Sequence, residues 1–164
     1  MAVREPYDSF AKRIILDPHR ALFDYWRSKF PEQGLPGRRH IDPIEIPELL
    51  SKLYLVDVVR PGDNPRFRYR LLGTDITERA GRDMTGRWLD EVFPDPAVYA
   101  RIKGVYLAIM NTLEPHIGAF NIFAPGREYV TANRIVLPLA ADGQIVDMLL
   151  GMWVYDDVAS RPPR

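Results

Sequence analysis

Residues 66–73 read Arg-Phe-Arg-Tyr-Arg-Leu-Leu-Gly and alternate basic with apolar side chains. An alternation with a period of two is typical of a β-strand that buries one face. The inward face is predicted to hold the three apolar side chains, Phe67, Tyr69 and Leu71. The outward face is predicted to hold the three arginines, Arg66, Arg68 and Arg70. This stretch predicts a sheet with one side against a core.

The segments on either side of this strand define its neighbours. Residues 53–60 are rich in β-branched side chains, and residues 61–65 (Pro-Gly-Asp-Asn-Pro) form a turn, so the two strands make a hairpin. Downstream, residues 74–94 contain short helical pieces. Asp95 followed by Pro96 is a helix-start signal, and it opens a long helical pattern that runs to Glu114.

The C-terminal part of the chain predicts further strands at residues 116–124, 128–139 and 145–155. Hairpin turns separate them at residues 125–127 and 141–144. The order strand, strand, helices and then strands again predicts an α+β fold. We expect a five-stranded antiparallel sheet with helices covering one face.

The last predicted strand is apolar on both faces, which is expected only where something covers its outer side. A helix over residues 18–30, from this chain or from a partner, is the natural cover. Its aromatic and aliphatic stripe consists of Leu22, Phe23, Trp26 and Phe30. We predict a homodimer with these four residues at or near the interface.

The chain divides into three parts by composition. Residues 1–43 are predicted to be an N-terminal helical extension and loop, and residues 44–156 the α+β domain. Residues 157–164, which include Ser160-Arg161-Pro162-Pro163-Arg164, are predicted to be a disordered tail.

Charge and hydropathy exclude several classes of partner. Among 164 residues, 22 Lys and Arg balance 22 Asp and Glu. A zero net charge argues against general nucleic-acid binding or a polybasic membrane surface. The most apolar stretch, residues 148–155, is far shorter than the about 20 residues of a membrane helix. The start of the chain lacks the apolar region of a signal peptide, so we expect a cytoplasmic protein.

The residue types needed for catalysis or metal binding are scarce. The chain has no cysteine, and its histidines, His19, His40 and His116, are far apart in sequence. No G-x-S-x-G nucleophile motif, P-loop or G-x-G-x-x-G motif is present. We therefore predict a non-enzymatic protein without a metal site.

The order and spacing of several short motifs resemble the PAS domain superfamily. The core resemblance lies in residues 67–74, Ile76, residues 81–86 and residues 89–93, followed by 137–139 and 142–143. The chain also resembles a group of short stand-alone bacterial PAS-like proteins. That second resemblance rests on residues 22–26, 41–43, 46–47 and 147–151.

The resemblance implies a sensory module that binds a small molecule between sheet and helices, dimerises and acts on a downstream signalling protein. The alternative is a ligand-free dimerisation or protein-interaction module. The cofactor stays unknown. Haem is disfavoured because the predicted long helix, residues 96–114, has no histidine. Flavin–cysteinyl adducts and thioester-linked chromophores are disfavoured because they need a cysteine.

Polar or small residues inside apolar elements are the candidates for a ligand pocket. They are Trp88, Tyr99, Ile102, Tyr106, Asn121, Thr131, Asn133 and Gly151. Ordinary core packing is the alternative explanation for each of them.

Charges on the predicted strands suggest a cross-strand ladder of Asp57, Arg68 or Arg70, and Asp147. We expect this ladder on a solvent or dimer face. The alternative is that one of the arginines anchors an anion in the pocket.

Overall fold

The computed structural model describes residues 5–60, 64–124 and 127–156, with side chains described for residues 7–60, 64–119 and 131–155. The predicted turn residues 61–63 and the predicted tail at 157–164 lie outside the described residues.

The helices and strands follow the predicted order. The α-helices are α1 (Glu5–Ala11), α2 (Asp17–Ser28), α3 (Thr74–Ala80), α4 (Leu89–Val92) and α5 (Pro96–Thr112). Short 3-10 turns lie at Arg38–His40, Pro43–Glu45 and Pro47–Lys52. The strands are β1 (Leu53–Val59), β2 (Arg66–Leu72), β3 (His116–Ala124), β4 (Arg127–Leu139) and β5 (Met148–Asp156).

The strands form one five-stranded sheet in the order β2-β1-β5-β4-β3. All neighbouring strands are antiparallel, which confirms the predicted α+β architecture. β5 begins at Met148, later than the predicted residue 145. The reason is local: the Asp142 carboxylate accepts hydrogen bonds from the backbone N–H groups of Gln144 and Ile145, both at 2.8 Å, and holds the loop as a turn.

The long helix starts where the sequence predicts. The Asp95 carboxylate accepts hydrogen bonds from the backbone N–H groups of Ala97 at 2.8 Å and Val98 at 3.4 Å. These bonds satisfy donors that the first helical turn leaves unpaired. The helix ends at Thr112, and the next residue, Leu113, adopts a left-handed conformation with φ 62°.

The strand register divides the sheet into two faces. Tyr54 pairs with Gly151, and Gly151 pairs with Val136, so these residues share one face. Phe67 lies on the same side and packs on Tyr106 of α5, with ring centroids 5.2 Å apart. We call this side the α5 face and the opposite side, which α2 covers, the α2 face.

Helix α2 packs on β4 and β5 of its own chain. Leu22, Phe23 and Trp26 are fully buried, and the Trp26 Nε1–H donates a hydrogen bond of 3.0 Å to the Pro138 carbonyl. Phe30 is half-buried, with its ring 4.8 Å from that of Trp26. The predicted cover for the last strand is therefore an intrachain helix. The predicted dimer interface used the stripe of α2 that is now buried against the sheet. While α2 holds this position, the predicted homodimer needs a different surface.

A β-bulge in β2 corrects the predicted strand faces. Val56 pairs with Tyr69 and Leu55 pairs with Leu71, so Arg70 is an extra residue between the two pairs. The extra residue reverses the alternation beyond it. Leu71 therefore shares the α2 face and is 39% exposed, whereas the sequence predicted it to point inward beside Tyr69.

Gly151 allows an aromatic ring to lie across the centre of the sheet. The ring of Tyr54 occupies the space directly above Gly151, and a Cβ atom at position 151 would overlap the ring carbons and hydroxyl of Tyr54. The close approach that the sequence predicted for a ligand or a helix is made by this tyrosine.

Replacing Gly151 with alanine is expected to destabilise the fold by about 1–3 kcal/mol, because the methyl group must displace a buried ring. Chemical denaturation measures the change. Gly104→Ala is the control: Gly104 lies in α5 with open space around its Cβ position, so this substitution is expected to stabilise the protein by about 0.5–1 kcal/mol. A Gly151→Ala protein as stable as the parent would contradict the close approach.

The docking of α2 is expected to weaken in acid. His19 is buried, with its Nε2 atom 3.1 Å from the Asn133 carbonyl, and burial lowers the pKa of this histidine. An unfolded histidine titrates near pH 6.5, so the unfolded chain takes up the proton first as the pH falls. Stability is therefore lost from about pH 6.5 downward, towards the lowered pKa.

Denaturation at about pH 7.5 and about pH 5.5 tests this expectation in the wild type and in His19→Gln, whose amide can still donate to Asn133. The variant should lose less stability between the two pH values than the wild type. Other titrating groups are common to both proteins and cancel in the comparison. Equal losses would show that His19 does not couple protonation to folding.

Candidate functional site

Four polar side chains meet on the α5 face near the middle of the sheet. Tyr54 lies on β1, Tyr106 on α5, Trp153 on β5 and Arg134 on β4. The two tyrosines are 1% exposed, and Trp153 and Arg134 are 6% exposed. We call these four residues the donor cluster, because each carries an N–H or O–H group that can donate a hydrogen bond.

The Tyr54 hydroxyl lies at the centre of the donor cluster. It makes no hydrogen bond of ordinary geometry, although Trp153 and Tyr106 lie close enough to act on it as hydrogen-bonding groups, and both lower its pKa against the effect of burial. The Tyr54 ring packs edge-on against Trp153 at 5.7 Å and against Tyr69 at 6.3 Å. Burial raises the pKa of Tyr54, so its hydroxyl keeps its proton.

Arg134 brings a positive charge into this aromatic surrounding. Its guanidinium carbon lies 6.0 Å from the centroid of the Tyr106 ring. Burial raises the pKa of Tyr106 and of Tyr69, and the charge of Arg134 opposes that rise in both. Among the described side chains, no carboxylate acts on the pKa of Tyr54, Tyr69 or Tyr106.

His116 lies towards the β3 edge of the same face, where it pairs with Val136. Burial, together with the charges of Arg134 and Arg13, lowers the pKa of His116 to about 4. His116 is therefore neutral at neutral pH. Among the described side chains that act on the pKa of Tyr54 and Tyr106, Arg134 is the one that carries a positive charge.

Helix α3 closes one end of the α5 face. The Arg79 guanidinium carbon lies 4.3 Å from the centroid of the Tyr155 ring. Arg79 also forms an ion pair with Asp75, one helical turn away, at 3.3 Å. Tyr155 is 9% exposed beneath this contact, so α3 shields the β5 end of the site from solvent.

Three of the sequence-predicted pocket residues lie at the donor cluster. Tyr106 belongs to it, Gly151 lies beneath the Tyr54 ring, and Ile102 is a buried residue one helical turn before Tyr106 on α5. Tyr99 is half-buried nearer the start of α5, where burial and then Asp90 raise its pKa.

Thr131 and Asn133 lie apart from the donor cluster, and their part in a ligand pocket stays a prediction. Residues alternate between faces along β4, and Arg134 lies on the α5 face beside Tyr106. Thr131 and Asn133 are therefore on the α2 face, where the Asn133 carbonyl forms a hydrogen bond with Nε2 of His19. Asn121 pairs with Thr131 through the backbone, and its side chain lies outside the described residues.

Trp88 lies at the β2 edge of the sheet. Residues 86–88 run beside β2, since the Gly86 N–H donates to the Tyr69 carbonyl at 2.8 Å. Trp88 lies alongside Arg68 there, and its ring packs beneath the guanidinium carbons of Arg66 at 4.1 Å and Arg68 at 5.1 Å. It is a stacking platform for arginines at the sheet edge, away from the donor cluster.

The arginine ladder lies on the α2 side of the sheet. Arg68 and Arg70 approach the Asp57 carboxylate at 3.7 Å and 3.6 Å, and both arginine side chains are well exposed. The predicted pairing across β1 and β2 and its outward orientation are confirmed. The prediction also placed Asp147 in this ladder. In the structure its carboxylate instead accepts a hydrogen bond from the Ala141 N–H at 3.3 Å.

The sequence prediction did not include Arg134, Tyr54 or Trp153. One signal for Arg134 was available: it is the single charged residue within residues 129–139, which are otherwise apolar or neutral. A charge inside such a strand marks a position where a buried polar contact is needed.

Within the described side chains, no group of three potential His, Asp or Glu ligands is close enough to hold a metal ion. In the part of the chain that the structure describes, none of the helices has the length and apolar character needed to cross a membrane.

Comparison with solved structures finds the same fold at low sequence identity. A LOV protein of Rhodobacter sphaeroides matches with a TM-score of 0.52 and 12% identity, over 86% of this chain and 70% of that chain. The PAS domain of Bordetella pertussis BvgS matches with a TM-score of 0.52 and 17% identity, over 71% and 85% of the two chains. None of the curated proteins matches the chain.

The family comparison covers most of the chain. The model of the PAS domain family matches residues 16–154, a range that includes α2. The chain belongs to the PAS domain family.

Proposed function

We propose that this PAS domain is a sensory module that binds a small molecule between α5 and the sheet, at the donor cluster. The observation that carries the proposal is the Tyr54 hydroxyl, which is buried without a hydrogen bond of ordinary geometry. Leaving a buried hydroxyl unpaired costs about 1–3 kcal/mol. A ligand atom that accepts from Tyr54 would remove that cost.

The surroundings of Tyr54 have the composition of a ligand site. Such sites are mainly apolar and carry a few polar groups that converge on one place. Here Phe67, Tyr69 and Ile102 provide buried apolar walls, and the donor cluster provides the polar groups. The ligand would enter between side chains that already pack closely, so we expect Tyr54 and Tyr106 to shift when it binds.

The proposed output of the module is helix α2. Arg134 faces the proposed ligand, and the carbonyl of the preceding residue, Asn133, holds His19 of α2. Ligand contact with Arg134 therefore acts on the same strand segment that anchors the helix. We propose that ligand occupancy changes how firmly α2 is held, and that a downstream signalling protein responds to that change.

Native mass spectrometry of the purified protein tests the binding proposal. We expect a small-molecule adduct that disappears on denaturation. Tyr54→Phe should lower the bound fraction, because it removes the central hydroxyl and keeps the ring. Tyr7→Phe is the matched control, since it deletes a hydroxyl that donates to Leu113 outside the donor cluster.

Two results would contradict this proposal. A protein without adduct, whose stability does not change across a library of small metabolites, would favour the ligand-free interaction module. Equal loss of adduct in Tyr54→Phe and Tyr7→Phe would mean that binding does not involve the donor cluster.

Hydrogen exchange tests the proposed output. The loaded protein, compared with the same protein after its ligand has been dialysed away, should show slower amide exchange in α2 as well as in β4. The expected change is a slowing of roughly five-fold or more, which corresponds to about 1 kcal/mol of added local stability. Protection confined to β5 and α5, with α2 unchanged, would exclude α2 as the output.

A further inference from the structure

The β1–β2 end of the α2 face carries two exposed arginines that share one carboxylate. Helix α2 lies on β4 and β5, whereas Arg68 and Arg70 lie on β2, at the edge of the sheet. Their side chains are 40% and 62% exposed. Both approach the Oδ2 atom of Asp57, at 3.7 Å and 3.6 Å, which is longer than a hydrogen bond from nitrogen to oxygen. One negative charge therefore faces two positive charges.

Arg66, on the same strand, is paired in a different way. Its guanidinium donates two hydrogen bonds to the Asp90 carboxylate, at 2.8 Å and 2.9 Å. A fork of this kind is the strong and directional form of an arginine–carboxylate contact. Among the described residues, Arg68 and Arg70 have no carboxylate at that distance. Each of them therefore has guanidinium donors that a further carboxylate would complement.

Local structure holds both arginines on one side of the sheet. The guanidinium carbon of Arg68 lies 5.1 Å from the centroid of the Trp88 ring, which supports it from beneath. Arg70 is the extra residue of the β-bulge, and bulges redirect side chains. The bulge brings Leu71 to the α2 face beside Arg70, where Leu71 is 39% exposed. Two charges and one apolar side chain are thus held together before a partner binds.

The distribution of charge along β2 favours an acidic protein segment over a nucleic acid. At one end, the carboxylates of Asp90 and Glu91 lie within 3.6 Å of the single guanidinium of Arg66, so the charge there is negative. At the other end, Arg68 and Arg70 give an excess of positive charge. A nucleic acid carries a negative charge at every phosphate, so a strand along this edge would also meet the acidic end. A short acidic segment can place its carboxylates on the two arginines alone.

We propose that Arg68, Arg70 and Leu71 form a docking surface for an acidic segment of a partner protein. Two carboxylates of the segment pair with the two guanidinium groups, and an apolar side chain between them lies against Leu71. The charge complementarity at Arg68 and Arg70 carries the proposal. This surface is separate from the donor cluster, so the proposal does not depend on ligand binding there.

Two short peptides test the charge requirement. Both contain a central leucine, flanked by glutamates in one peptide and by glutamines in the other. NMR titration of the isotope-labelled protein measures both affinities and follows the side-chain Nε–H signals of Arg68 and Arg70. At low salt, we expect the glutamate peptide to bind roughly five- to tenfold more tightly, because each solvent-exposed ion pair adds a modest amount to the affinity.

Substitutions that change the charge of this surface should change the affinity in opposite directions. Arg70→Gln should weaken binding of the glutamate peptide by roughly threefold and leave the glutamine peptide unaffected. Asp57→Asn should tighten binding of the glutamate peptide, because it removes the carboxylate that competes for both arginines. Arg101→Gln is the matched control, since Arg101 is exposed on α5, on the other side of the sheet, and loses the same charge.

Several outcomes would overturn the proposal. These are equal binding of the two peptides, failure of the glutamate peptide to bind, or an effect of Arg101→Gln as large as that of Arg70→Gln. A thymidine oligonucleotide that binds more tightly than the glutamate peptide, and is lost in Arg70→Gln, would assign the surface to nucleic acid instead. A wild-type dimer that dissociates in Arg70→Gln would assign it to a second copy of the chain. Each of these results leaves the proposed ligand site unaffected.

Discussion

The structure depends on a strand that is buried on both faces. β5 occupies the centre of the sheet, and its residues from Met148 to Trp153 are all buried. An antiparallel strand of this kind requires a layer on each side. Helix α2 supplies one layer and α5, with α3 and α4, supplies the other. The short chain thereby becomes a three-layer domain in which the N-terminal helix is an integral part of the core.

The two layers make different contacts with the sheet. On the α2 face, the helix contributes apolar side chains, and its two polar anchors, His19 and Trp26, bond to backbone carbonyls of β4. On the α5 face, Arg134 and Tyr54 are buried among aromatic rings. The polar anchors of α2 thus bond to the backbone of the sheet, while the buried polar groups of the α5 face lie among aromatic side chains. β4 connects the two, since Asn133 and Arg134 are consecutive.

Much of the fold could be predicted from local patterns. Alternation identified β2, the Asp95-Pro96 pair identified the start of α5, and opposite charges identified the pairing of Asp57 with Arg68. Alternation failed where a single extra residue, Arg70, reversed the faces of β2. The alternation of residues along a strand also shows which of them share a face, but it does not show which helix covers that face. For this reason the sequence did not show that Thr131 and Asn133 lie on the α2 face. Arg134 was missed because a charged residue in a strand is ordinarily exposed.

A crystal structure of the protein as purified, without added ligand, tests the central claim most directly. The account predicts electron density for a bound molecule on the α5 face, within hydrogen-bond distance of the Tyr54 hydroxyl and of the Arg134 guanidinium, with α2 still seated on β4 and β5. A core in which the Tyr54 hydroxyl bonds only to neighbouring protein groups, with no density beside it, would contradict the account. Such a result would identify this PAS domain as a packed interaction module.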